Sequence, residues 1–196
     1  MVASDYKFCL PNGLTLTYGQ INALAGDFYG THNPISGGRD APARSALFLA
    51  AYESLASANP RQPMEANDLL HVLRTEVDAV NNALENHEDP SIAYSALPDV
   101  SLELEAITSG RSGVPSYFGL AKKNWDHFGE DARTAYHVGH TTAIEKAISG
   151  ALLNAYAMNA FADHFLEDSF SSGHLRTPRR CLQKTTDPTA DLCAKV

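Results

Sequence analysis

The stretch ALLNAYAMNAFADHFLEDSF, residues 151–170, decides the fold. Apolar side chains occupy nearly the whole circumference of a 3.6-residue turn, which predicts a helix buried at the centre of a bundle. Immediately upstream, residues 130–149 and 117–128 also read as helices. Further back, Met64 to about Asn86 sets Leu69, Leu70, Leu73, Val77 and Val80 at helical spacing, with acidic residues opposite. Asp40-Ala-Pro supplies an N-cap carboxylate and a first-turn proline to a helix that continues through Leu47, Leu49 and Tyr52. Pro98, Gly110, Gly113 and Pro115 break residues 91–115 into short helical pieces and loops. Strand-like alternation is confined to Leu14-Thr-Leu-Thr-Tyr18, which can equally lead into a helix over residues 20–28. With no repeat and no long linker, the chain reads as one all-α domain, a compact multi-helix bundle over residues 1–180. Residues 181–196 lack periodicity and read as an irregular tail.

Composition narrows the function classes. With 196 residues, 44% of them hydrophobic, the chain has enough apolar mass for a single core. Fifteen basic residues against twenty-three acidic ones leave a charge of -8, which argues against a broad polyanion-binding face. No apolar run approaches the roughly 20 residues of a membrane span, so no integral membrane association is expected and the chain reads as soluble. The first residues lack a basic stretch followed by an apolar one; a leader removed earlier would imply secretion. Of the three cysteines, Cys181 and Cys193 are close enough to pair, which leaves Cys9, and no zinc-finger spacing occurs.

The chemistry concentrates after residue 120. His164 and Asp168 lie four residues apart, on the helical face that also carries Ala157 and Ala160, and the turn at Ser171-Ser-Gly173 can return His174 beside them. A carboxylate on an inward face needs a partner. Two imidazoles and a carboxylate suit zinc best, with iron or manganese next. In AGDFYGTHNP, residues 25–34, glycines flank Asp27 and let Asp27 and His32 face a common site; as plain loop residues they fit equally well. His137 and His140 share a helical face, and the apolar Ile144 and Ile148 beneath aim His140 inward. His127 and Asn124 are candidates for substrate contact or for orienting ligands. Arg176, Arg179 and Arg180 follow His174 and can hold a phosphate or carboxylate in bidentate fashion, or form a solvated basic turn. Nucleophile-elbow, P-loop, GxGxxG and HExxH patterns are absent.

The spacing His164-x3-Asp168-x5-His174 resembles the central metal-binding pattern of the zinc-dependent phospholipase C and S1/P1 nuclease superfamily. Phe165 stands where a tyrosine is usual, Glu167 where a glycine or threonine is, and Ser172 where a proline is. Asp126 and His140, with thirteen residues between them, match the spacing of an upstream aspartate and histidine of these phospholipases. The N-terminal tryptophan of the family has no counterpart, since the only tryptophan is Trp125, and no histidine follows His174. The resemblance covers about residues 125–180. It implies a phospholipase C/P1 nuclease-like helical fold and one to three zinc ions, fewer than three given the missing elements. His164, Asp168, His174, His140 and Asp126 would be ligands, with His32 as a replacement. The reaction implied is metal-dependent hydrolysis of a phosphodiester: Asp27 or Glu167 takes the proton, and Arg176 or Arg179, with His127 and Asn124, contacts substrate. A phospholipid head group or another small phosphodiester is the expected substrate. Nucleic acid is disfavoured, because few basic and aromatic residues remain outside the core to hold a strand. Two other readings stand beside this one: a helical binding module without catalysis, and an iron enzyme of different chemistry.

Overall fold

A computed structural model describes residues 6–57 and 62–183. The chain opens with a small antiparallel hairpin, β1 (Lys7–Cys9) paired with β2 (Thr15–Thr17). Nine helices follow among the described residues: α1 (Tyr18–Leu24), α2 (Ala41–Ala56), α3 (Gln62–Glu85), α4 (Pro90–Ser95), α5 (Ser101–Thr108), α6 (Tyr117–Lys123), α7 (Gly129–Ile148), α8 (Leu152–Asp168) and α9 (Arg179–Gln183). The described residues also form two 3-10 turns, Ile35–Gly37 and Trp125–His127. Among the described residues the fold is all-α apart from the hairpin. No helix among the described residues is long and apolar enough to cross a membrane.

The central helix is α8, as the 151–170 stretch predicts. Ala155, Ala157, Met158, Ala160, Phe161, Ala162 and Phe165 are buried along it. It forms a hairpin with α7, against which it makes its most extensive packing. At the crossing stands Gly139 of α7. A methyl group there would lie 2.4 Å from Phe48 Cε2 of α2 and 2.6 Å from Ala162 Cβ of α8, so three helices meet at a residue without a side chain. Phe48 and Tyr52 of α2 then set their rings edge-on against Phe161, at 6.0 and 5.9 Å between centroids.

Local signals fix most boundaries. Asp40 caps α2 through Ala43 N at 2.9 Å, as expected. Thr17 and Gln20 form a reciprocal capping box that turns β2 into α1. The 20–28 helix starts earlier and stops at Leu24, because Gly26 takes a φ of +67° and the chain folds back, with Ala25 bridged to Tyr29. The 117–128 helix is two pieces. Asn124 leaves the helical region, and its side chain accepts from Asp126 N to cap the 3-10 turn. The boundary expected at residue 181 falls inside α9. Residues from 184 on, Cys193 among them, lie outside the described residues; Cys9 and Cys181 are both exposed.

Candidate metal centre

Four segments converge at the C-terminal end of α8. The helix itself presents His164 and Asp168. Beyond it the chain turns tightly, with Ser171 N on Asp168 O and His174 N on Ser171 O, both at 3.0 Å, which brings His174 back. Gly129 N donates to His174 O at 3.0 Å and ties this turn to the start of α7. The 3-10 turn delivers His127, and the reversal after α1 delivers Asp27.

Asp168 is the hub. Its Oδ2 lies 2.5 Å from His127 Nδ1 and 3.3 Å from His164 Nε2, and its Oδ1 lies 3.0 Å from His174 Nδ1. Asn124, held by its bond to Asp126 N, donates Nδ2–H to Gly26 O at 3.2 Å and stands 2.6 Å from His127 Nε2. The Nδ1–H of His127 points at Asp168, which leaves Nε2 as the ring atom facing the Asn124 amide and Asp27. Asp27 Oδ1 is 3.8 Å from the same Nε2. Donor atoms of Asp27, His127 and His164 all lie within 4.8 Å of one another, the spread that a small divalent cation can draw together. Gly26 makes room for this. A Cβ on Gly26 would sit 2.6 Å from His164 Nε2 and 2.8 Å from His127 Cε1, in the space between the two imidazoles. The donor set and the space fit one borderline cation. Asp168, behind them, has the position of the carboxylate that orients a metal-binding histidine.

Electrostatics follow from burial. The His164 pKa is lowered, chiefly because the ring is buried, so its lone pair is available for a metal. Burial also opposes charge on His127, but Asp27 and then Asp168 outweigh it and raise that pKa to about 9. A cation bound between the rings would take the place of that proton. Asp168 is pulled well below the usual carboxylate range: burial works against its charge, and the hydrogen bonds from His127 and His174 more than compensate.

His127 and His174 open onto a cleft of about 610 Å³. Asp27, His127, His174 and Arg179 supply its polar wall, and Tyr117 and Phe128 part of its apolar one. Arg179 is buried, donates Nη2–H to Ala121 O at 3.0 Å and packs 6.0 Å from the centre of the Phe128 ring.

Several sequence-predicted residues lie elsewhere. Asp126 is 1% exposed and accepts Ile35 N at 2.5 Å, Ser36 N at 3.1 Å and the Ser36 hydroxyl. It anchors the Ile35–Gly37 turn and is no part of the centre; burial raises its pKa. His140 faces another side of α8, with Nδ1 2.7 Å from Asn159 Oδ1 and its ring stacked on Tyr136. Thirteen residues of spacing carry no rotational information, because the chain is extended at Phe128, between the 3-10 turn that holds Asp126 and the helix α7 that holds His140. His32 is exposed in its loop and outside the cluster, and Arg176 is exposed. Glu167 is on the outer side of α8, where it accepts from Asn22 Nδ2 at 3.1 Å. Arg180 binds Asp131 at 2.6 Å and Ser36 Oγ at 2.7 Å, and lies over Trp125. His127, a secondary candidate from sequence, stands at the middle of the cluster, and Gly26 escapes sequence reading because its role is to leave space. No family model, curated protein or solved structure matches this chain.

Proposed function

We propose that this chain is a metal-dependent phosphoester hydrolase, phospholipase C-like in its reaction, with zinc held by Asp27, His127 and His164. The observation that carries this reading is the convergence of those three donors, with Asp27 and His127 at the wall of a cleft that Arg179 also lines and His164 buried behind them. The His-x3-Asp-x5-His spacing supports the same reading. Bound there, zinc would supply a water acidified toward neutrality and a Lewis acid for a phosphoryl oxygen. Asp168 fixes the rings of His127 and His174 through their Nδ1 atoms, so His174 meets the cleft as an oriented imidazole that can take a proton from water and return it to a leaving oxygen. Arg179 brings a positive charge to an anionic ester. Tyr117 and Phe128 offer apolar surface for an uncharged substituent. One guanidinium in the wall of an acidic protein suits a small diester better than a polyanion.

The test is zinc content by elemental analysis of untagged protein, followed by hydrolysis of bis(p-nitrophenyl) phosphate and of phosphatidylcholine vesicles, before and after chelation. Zinc uptake with activity lost to chelator and restored by zinc is expected. His164→Ala should lose both. Failure of the parent to take up zinc would overturn the reading and favour a helical binding module; iron in its place would point to other chemistry.

A further inference from the structure

The turn that carries Asp27 is fastened from behind by a buried ion pair. Arg111, in the loop between α5 and α6, stands with Nη2 2.6 Å from Glu65 Oε1 of α3, and the two side chains are 5% and 8% exposed. Arg111 Nη1 donates to Phe28 O at 2.5 Å and to Pro115 O at 3.3 Å. Tyr29 OH donates to the same Glu65 oxygen at 2.9 Å, and the guanidinium lies 4.8 Å from the centre of the Tyr29 ring. Both residues that follow Asp27 are therefore gripped, one by its carbonyl and one by its side chain. Within the turn, Gly26 N donates to Tyr29 O at 3.0 Å and Tyr29 N to Leu24 O at 3.1 Å. Arg111 also couples the turn to the segment that leads to Tyr117 in the cleft wall. Pro115 leads into α6, where Tyr117 stacks on Phe28 at 5.4 Å.

Burying two charges is expensive, and a fold that needed only to close this region could do so with apolar side chains. The guanidinium does what an apolar residue cannot, because it spans a carboxylate and two carbonyls in one rigid fork. We infer that Arg111 and Glu65 are positioning residues that hold the Asp27 carboxylate beside His127. The consequence for metal binding rests on the proposed function; the clamp itself does not.

Two measurements on the full chain separate these. Backbone hydrogen exchange of the metal-free protein is compared for the parent, Arg111→Lys and Tyr29→Phe, the last being the mildest change. The Gly26 and Tyr29 amides should exchange at least about tenfold faster in Arg111→Lys, with α7 and α8 amides unchanged. Unchanged protection at Gly26 and Tyr29 in both variants would overturn the clamp. Zinc affinity is then measured by competition with a chromogenic chelator for Arg111→Lys, Asp27→Asn and the double variant. Arg111→Lys should weaken zinc about tenfold, and the double variant should be no weaker than Asp27→Asn alone, since a misplaced carboxylate and a missing one cost the same contact. Additive losses would reduce the pair to a purely structural role. A parent that takes up no zinc would sink the metal reading, with the exchange result still deciding the clamp.

Discussion

Gly26 concentrates two requirements in one backbone position, a left-handed φ and an absent side chain. Gly26→Ala is expected to cost about 1–2 kcal/mol for the left-handed alanine and about 1–3 kcal/mol for the overlap with two imidazoles. Urea denaturation with and without zinc checks this: the variant should unfold earlier and gain no stability from the metal. The imidazoles make opposite contributions to stability against pH. His164, held neutral, has a folded pKa below its unfolded value near 6.5, so its contribution is lost as pH falls below that value. His127, raised to about 9, contributes fully below pH 6.5 and loses its contribution as pH rises to about 9. Metal-free protein should therefore be most stable near pH 6.5 and weaken on both sides in urea melts. A monotonic profile would contradict a neutral His164 beside a charged His127. His164, Asp168 and His174 were legible in sequence because a single helix turn and a tight loop set their relation. Their partner His127 comes from another element 37 residues away in sequence, and no local period encodes that distance.

At the scale of elements, the break at Asn124 matters most. By leaving the helix there, the chain turns Asp126 toward the Ile35–Gly37 turn and His127 toward Asp168, so neighbouring residues serve different ends. Asp126→Ala would orphan two buried backbone N–H groups and should destabilise by about 2–4 kcal/mol while leaving zinc content unchanged. Calorimetry beside elemental analysis distinguishes this from ligand loss, in which both would fall. The same break explains what could be read and what could not. Capping at Asp40, the apolar run of α8 and the spacing of α3 are local patterns, and those helices stand close to their expected limits. The stop at Asn124 depends on a side chain capping the next turn, and periodicity is blind to it. β1 also escaped, since three residues of strand become visible only through their pairing with β2.

For the whole molecule, α8 is both the centre of the core and the bearer of the site. Phe161, fully buried between Phe48 and Tyr52, should cost about 3–5 kcal/mol when replaced by alanine. Because His164 is on the next turn, zinc affinity should fall with it, and a denaturation curve paired with a zinc titration checks both. The donors are also unevenly distributed along the chain. His127, His164, Asp168 and His174 all belong to the α7–α8 hairpin and its flanks, whereas the turn bearing Asp27 is joined to them across a long separation, Gly26 and Asn124 being 98 positions apart. Helical hairpins close early in folding and such distant contacts close late. A chain caught midway would already own a two-histidine half-site. Zinc captured there would draw Asp27 in and shorten the slowest search, so the ion would act on the rate of folding as well as on its end point. Stopped-flow refolding should then be faster with zinc present than with chelator. The ion would belong to the history of the molecule before it belonged to its chemistry.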